Sequence, residues 1–586
     1  MEKPKGRHVP RSTRDSGPGE IARAKGLVLT SCQVGALPII ERLLQRMRLD
    51  EFLRSYLPRA DRRCRIPPPL GITLLLKNVL ISREPLYGVG EWAARYAPDV
   101  LGFADGQLPS LNDDRVGRCL DRLFASDIPS LTLAVVAHVV REFNVNLDEL
   151  HNDSTTITFH GAYADAAKEE PRGKRKERTR LAITWGHNKD HRPDLKQLLY
   201  ILTVAKDGGV PVYFQAASGN VVDDQTHCTT WDLLRQLTGR TDFLYVADCK
   251  LATAENMAYI HQRGGRFITV LPRTRKEDGD FRELLAKGQV RWQAVHEIRD
   301  DYGEVVDQYC VSEPEVLSAE GYRVVWYHST RKAARDAHWR NQQVERALNE
   351  LAELRQKLSS PRTRYREEDK VAAAVTAILE ERDVARFITV EIEKRTLEKY
   401  RQEGRGRPTK TTRYVKEEST RFDLKYRIDH EQLAAEVCSD GIFPLITNAL
   451  TPTAQELLLA YKGQPTIEKR FSQLKTDFEV APVYLKETTR IQALLCVYFF
   501  VLLTEALLER ELRCAMDRCG LDSLPLYPEG RKCRRPTARR LIDLFDEVQR
   551  HSLVVGRDPP VVVTTKLTGI QRKLLGLLGM RRAYQG

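Results

Sequence analysis

Three carboxylates stand where carboxylates can do chemistry. Asp153 sits between Asn152 and Ser154 in D-E-L-H-N-D-S-T-T-I-T-F-H, residues 148–160, and Asp248 closes F-L-Y-V-A-D, residues 243–248. Glu468 is the one acid in Y-K-G-Q-P-T-I-E-K-R-F-S-Q-L-K, residues 461–475, among Lys462, Lys469, Arg470 and Lys475. Carboxylate oxygens are hard donors that suit Mg²⁺ or Mn²⁺. Three of them brought together could hold two such ions about 3.5–4 Å apart, a pair able to activate a water or hydroxyl and stabilise the leaving oxygen of a phosphodiester. Each acid also has a plainer reading. Asp153 and Asp248 could be strand-end or capping aspartates, and Glu468 an exposed helix glutamate paired with Lys469 or Lys475.

Periodicity shows the elements that would have to position these acids. Residues 148–160 are rich in Thr and branched side chains, a strand pattern. After a charged loop, residues 195–220 read as two strands joined by a hairpin at Asp207-Gly208-Gly209. A helix over 225–239, the strand F-L-Y-V-A-D, a helix from Thr253 and the strand R-F-I-T-V-L-P follow. Three strands and then alternating helix and strand predict an α/β fold, a mixed sheet flanked by helices. The carboxyl end of such a strand, where Asp248 lies, is a common ligand position. Gly463 and Pro465 mark a helix start, and Ile467, Phe471 and Leu474 form its docking stripe. At about 100° per residue, Glu468 and Lys475 fall within roughly 20° of one face.

The 586 residues exceed what one core usually supports. Residues 1–28 read as a disordered basic tail, and 29–145 as a helical N-terminal domain that is either a DNA-binding module or a plain helical bundle. Ser110 or Asn112 would cap one of its helices. Residues 146–275 form the first part of the core. Residues 276–440 are a highly charged insertion. It holds a helical hairpin, with Val344 to Leu358 on one arm and Val371, Val375 and Leu379 on the other, and a basic loop at 403–416. Residues 441–512 return to the core with the third acid, and 513–586 are a basic C-terminal segment containing R-K-C-R-R-P-T-A-R-R. Trp326 reads as a core residue of the insertion, with stacking on an unpaired base as the alternative.

Lys and Arg outnumber Asp and Glu 93 to 80, a net charge of +13 that suits a polyanion, nucleic acid before membrane. The 11 cysteines are scattered with no C-x-x-C pair and read as reduced thiols; Cys514, Cys519 and Cys533 lack a fourth zinc ligand. The N-terminus has no apolar signal region, and the run A-L-L-C-V-Y-F-F-V-L-L, residues 493–503, is too short to span a bilayer. It predicts a buried core helix in a soluble, cytoplasmic protein with no membrane partner.

The order Asp153, Asp248, Glu468 on strand, strand and helix resembles the DDE transposases of bacterial insertion sequences. Tyr461, Gln464, Glu468 and Lys475 stand at the spacing of the Tyr-Arg-Glu-Lys signature of one branch, with Gln464 in place of the arginine. G-H-N-K-D-H-R-P-D-L-K-Q, residues 186–197, is similar to the segment that follows the first acid in one subgroup, as is D-G-I-F-P-L-I-T-N, residues 440–448, to the one before the last helices. The long gap between Asp248 and Glu468 matches an insertion in such enzymes. The resemblance covers about 146–512 and implies a ribonuclease-H-like catalytic core. Asp153, Asp248 and Glu468 would be catalytic and bind two Mg²⁺ (or Mn²⁺) ions. Tyr461, Gln464 and Lys475 would hold DNA phosphates, and His191 and Arg192 would approach the DNA or the metals from a loop. The implied activity is cleavage of the ends of a DNA element and joining of its 3′-hydroxyls to target DNA. The implied partners are double-stranded DNA, as terminal inverted repeats and target, and a second copy of the chain, in a bacterial cytoplasm at the nucleoid. Two alternatives share these residues: a ribonuclease-H-like nuclease without joining, and a catalytically silent DNA-binding protein derived from such an element.

Overall fold

The computed structural model describes residues 21–585 except 25–26, 60–63, 105, 162, 164–169, 172–178, 190–191, 301, 315, 361, 404, 409, 411, 478–484, 486 and 557–558. The chain forms two units, Met1–Ile268 with Leu459–Gly586, and Thr269–Leu458.

The first unit begins with two strands, not with the disordered tail expected to residue 28. β1 (Ile21–Ala24) pairs antiparallel with β2 (Leu27–Gln33), and β2 pairs in turn with a strand at Gln549–Val555. The strand partner lies more than 500 residues away in sequence, so local pattern could not reveal it; residues 1–20 lie outside the described residues. A helical region follows: α1 (Leu37–Arg46), α2 (Leu49–Tyr56), α3 (Pro68–Ile81), α4 (Val89–Ala94), α5 (Pro98–Leu101), α6 (Asp113–Phe124) and α7 (Ile128–Glu142). Asn112, and not Ser110, caps α6: its side chain accepts the Arg115 backbone N–H at 3.0 Å.

The period then changes to two. β3 (Glu149–Phe159) is followed by the two-residue strands β4 (Glu170–Pro171) and β5 (Thr179–Arg180), then by β6 (Lys196–Ala205) and β7 (Pro211–Ser218). α8 (His227–Thr238), β8 (Leu244–Ala247), α9 (Ala254–Gln262) and β9 (Arg266–Val270) complete this part. In space the strand order is β9-β8-β3-β6-β7. β3 runs antiparallel to β6 and parallel to β8, and β8 runs parallel to β9. This is a mixed sheet flanked by helices. Its central strands are buried almost throughout, as expected when both faces are covered. The β6–β7 turn is closed by Gly208 and Gly209 at φ +72° and +62°, the left-handed conformation that the Asp-Gly-Gly sequence supplies.

In the second unit, α10 (Lys276–Ala286) precedes three antiparallel strands, β10 (Gln293–Arg299), β11 (Val305–Ser312) and β12 (Arg323–Ser329). The 30-residue α11 (Thr330–Ser359) and α12 (Glu368–Glu381) form the expected helical hairpin. Beyond it the chain builds a long ribbon, β13 (Ile388–Gln402) against β14 (Tyr414–Ile428). α13 (His430–Val437) leads to β15 (Ile442–Thr447), which pairs antiparallel with β12. Trp326 is a core residue, stacked on Phe281 with centroids 3.9 Å apart.

The chain returns to the first unit through α14 (Ala454–Tyr461) and α15 (Pro465–Ser472). α16 (Thr488–Arg518) contains the apolar run at 493–503 but extends to 31 residues. That is long and apolar enough to cross a membrane, yet its most apolar window is 100% buried within the protein. It is the central core helix of this unit, against which α1, α3, α6 and β7 pack. β16 (Leu524–Pro525), β17 (Lys532–Cys533), α17 (Ala538–Asp543), β18 (Gln549–Val555), β19 (Val561–Thr564) and α18 (Gly569–Leu577) close the chain. Much of the basic run at 531–540 is used internally. Arg531 pairs with Glu529, Arg539 pairs with Asp543, and Arg540 donates to the Leu526 carbonyl at 2.8 Å.

Two glycines with positive φ separate backbone strain from crowding. A Cβ on Gly209 would lie 2.4 Å from Thr466 Cγ2, whereas one on Gly239, at φ +69°, would meet nothing within 4 Å. Gly239→Ala is expected to cost about 1 kcal/mol from backbone strain, and Gly209→Ala about 2–4 kcal/mol because helix α15 must also move. Urea denaturation of the two variants measures the difference.

Candidate active site

Helix α15 starts where Gly463 and Pro465 predict, with Pro465 in its first turn. Ile467, Phe471 and Leu474 are all buried, as the stripe requires. What fixes the helix is a buried guanidinium. Arg470 is 1% exposed and donates through Nε to the Gly209 carbonyl and through Nη2 to the Gly208 carbonyl, both at 2.9 Å. Its Nη1 reaches Gln473 Oε1 at 2.7 Å and Glu509 Oε2 at 3.3 Å. Glu509, wholly buried on α16, also binds Lys469 Nζ at 2.8 Å. Burial alone would raise the Glu509 carboxyl, but Arg470 and Lys469 outweigh it and hold the group below its ordinary range. Lys469 is therefore the partner of Glu509 and not of Glu468.

Two residues along a helix is a rotation of about 200°. With Arg470 turned into the core, Glu468 must face the other way. It is exposed, and among the described residues its carboxylate makes no hydrogen bond or ion pair. The expected α-helical register from Glu468 to Lys475 does not hold. Gln473–Asp477 forms a π-helical turn, because Gln473 is drawn inward to join Arg470 to Glu505 Oε2 at 2.8 Å. Lys475 lies within that wider turn, half-buried.

Asp153 and Asp248 lie on neighbouring parallel strands, Asp153 one residue beyond the Asn152–Ala247 pair and Asp248 immediately after β8. Asp153 is part-buried and its carboxyl is pushed up to about 6. Burial is the main cause; Lys189 pulls the value down and the Asp248 charge raises it again. Lys189 Nζ stands 3.2 Å from Asp153 Oδ1 and 2.7 Å from both the Ser154 carbonyl and its Oγ. Asp248 also caps the short turn after β8, accepting the Lys250 N–H at 3.1 Å. Tyr461 is half-buried at the end of α14. Burial first, and then Asp248, Cys249, Glu468 and Asp153 in that order, push its phenol up to about 12.

Behind the acids, His151 is buried on β3 with Nδ1 2.9 Å from Gln464 Oε1 and Nε2 2.9 Å from Glu149 Oε1. Gly463 makes this possible, since a Cβ there would lie 2.6 Å from the imidazole. The Gln464 oxygen is thus turned to a histidine of the central strand. Arg192 is exposed and binds Asp194 through two hydrogen bonds at 2.7 and 2.8 Å, and His191 lies outside the described residues. Lys189 and His151 were not singled out from sequence, although Lys189 lies within the G-H-N-K-D-H motif.

Among the described residues no three His, Cys, Asp and Glu side chains form a group ready to hold a metal ion. The donor chemistry still suits a hard divalent cation at the aspartate pair. Two carboxylates repel each other there, one keeps its proton up to about pH 6, and the Lys189 ammonium already rests on it.

Residues 29–137 match a family model described as a domain of unknown function, DUF4277. The match covers the N-terminal helices and ends before β3, so it does not reach the three acids. No curated protein matches the chain.

Two outcomes follow from these contacts. Arg470→Met leaves Glu509 short of a partner and the hairpin carbonyls short of a donor, and is expected to lower stability by about 3–5 kcal/mol in chemical denaturation. Asp153 holds its proton more tightly folded than unfolded, so its favourable contribution is present below about pH 4 and lost as pH rises through 6. Asp153→Asn escapes that cost. It should be more stable than the parent protein by up to about 3 kcal/mol at pH 7.5, less what Lys189 loses, with the advantage gone by pH 4. Thermal melts across that range measure it.

Proposed function

We propose that the chain is a DNA transposase of the DDE kind, with a ribonuclease-H-like core, that cleaves the ends of an insertion sequence and joins the 3′-hydroxyls to target DNA. The observation that carries this reading is the placement of Asp153 and Asp248, 95 residues apart in sequence, side by side on the neighbouring parallel strands β3 and β8, with Lys189 on Asp153. The strand order β9-β8-β3-β6-β7, with three antiparallel strands followed by two parallel ones, supports the core. The excess of 13 positive charges supports a nucleic-acid substrate.

In this reading Asp153 and Asp248 would hold two Mg²⁺ or Mn²⁺ ions, with Glu468 completing the set. Bound there, the ions would activate the attacking water or 3′-hydroxyl and stabilise the leaving oxygen. Lys189, anchored on Ser154, orients Asp153 and would leave that carboxylate oxygen free to a bound cation. Tyr461, held as a neutral phenol, can donate to a phosphate oxygen without adding negative charge. Gln464, engaged with His151, would set the start of α15, while Lys475 and Arg192 would meet the DNA backbone. Two ends must be held at once, so the working form would be a dimer on DNA.

Glu468→Gln is expected to reduce Mg²⁺- or Mn²⁺-dependent cleavage of element ends by at least 10³-fold while leaving DNA affinity within about twofold. Gel-resolved cleavage and anisotropy measure the two; undiminished cleavage would refute the assignment. Pre-cut ends incubated with a plasmid distinguish a transposase, which yields joined products, from a nuclease that only cuts.

A further inference from the structure

The β13–β14 ribbon pairs without interruption from Ile388–Ile428 to Gln402–Tyr414, about 50 Å at ~3.4 Å per residue. Its two halves differ. Near the helices, Ile388, Phe422 and Leu424 pack into one core with Leu351 and Val371. Charges there are balanced: Asp423 pairs with Arg355 and Arg395, and Glu393 with Lys425. The distal half has no such cover. Leu397 and Val415 on one face, and Tyr400 and Tyr414 on the other, are 46, 50, 65 and 53% exposed.

Charge segregates in the same direction. From Lys399 to Lys416 the chain carries seven Lys and Arg residues and a single acid, Glu403. Among the described residues Lys399, Arg405, Arg407, Lys410 and Arg413 are exposed and make no ion pair. A two-stranded ribbon alone is marginal in water, and clustered like charges weaken it further. A polyanion with a groove of matching width offsets both costs. The major groove of duplex DNA admits a two-stranded ribbon, and the phosphates along its edges neutralise the cations.

We infer that the distal half of this ribbon is an arm that enters the major groove of duplex DNA, with its basic tip on the bordering phosphates and Tyr400 and Tyr414 against base edges. The inference rests on the reading of the chain as a DNA-acting enzyme and adds where it grips. Full-length protein and the variant Arg405→Ala/Arg407→Ala/Lys410→Ala are titrated against a fluorescent 40-base-pair duplex from 50 to 300 mM KCl, without divalent ion. Each lost phosphate contact removes about 0.9 from the slope of log affinity against log salt. The expected result is a slope shallower by about 2–3 and at least tenfold weaker binding at 100 mM KCl, with an unchanged melting temperature. Tyr400→Ala/Tyr414→Ala should weaken binding at unchanged slope. If the parent protein binds and the triple variant matches it in affinity and slope, the arm is refuted and the transposase reading stands. If the parent protein binds no duplex, both fall. A loss confined to single-stranded DNA or to anionic vesicles refutes the duplex assignment.

Discussion

A buried guanidinium governs the geometry of the first unit. Arg470 satisfies two hairpin carbonyls on one side and a fully buried carboxylate on the other. A charge taken this far out of water persists only if every partner is in place, so the arrangement tolerates little displacement. The hairpin that β6 and β7 form, the helix α15 and the core helix α16 are locked together through one side chain. The consequence for Glu468 is angular. Because Arg470 must face inward, the acid two positions earlier must face outward, into solvent.

The Asp153 carboxylate works against folding. Asp153 is placed where burial and Asp248 disfavour its charge, and Lys189 only partly relieves this. Such an arrangement costs stability above pH 6 and has no structural return in the protein alone. It is the kind of perturbed carboxylate pair that cation binding would relieve, and it lies at the end of a strand pair buried on both faces. Tyr461 stays a neutral phenol, raised by burial first and then by the charge of Asp248.

The excess positive charge is distributed unevenly. In the C-terminal run, Arg531, Arg539 and Arg540 are committed to nearby carboxylates and carbonyls. At the ribbon tip, among the described residues, Arg405, Arg407, Lys410 and Arg413 are exposed and make no ion pair, while Arg401 and Lys416 beside them pair with Glu417 and Glu398. Net charge alone therefore says little about where a polyanion would bind; the pattern of neutralisation says more.

Sequence by itself determined the elements that depend on local rules. The Asp207-Gly208-Gly209 turn, the start of α15 at Pro465, a cap for α6 at Ser110 or Asn112, the helical hairpin and the α/β alternation follow from turn chemistry, capping and periodicity, which act within a few residues. The three acids were legible as candidates from their places at strand ends and in a spaced signature. Tertiary structure decided what depends on distant partners. Lys469 pairs with Glu509 and not Glu468, Lys475 leaves the α-helical register, Gln464 turns to His151, and Lys189 rests on Asp153. Residues 21–33 join a sheet whose next strand is near the far end of the chain. Each of these turns on a charge or hydrogen-bonding group finding its complement across tens to hundreds of residues. Local pattern carries no record of that choice, because a lysine, a glutamine or a strand edge is equally competent with many partners until the core closes around one.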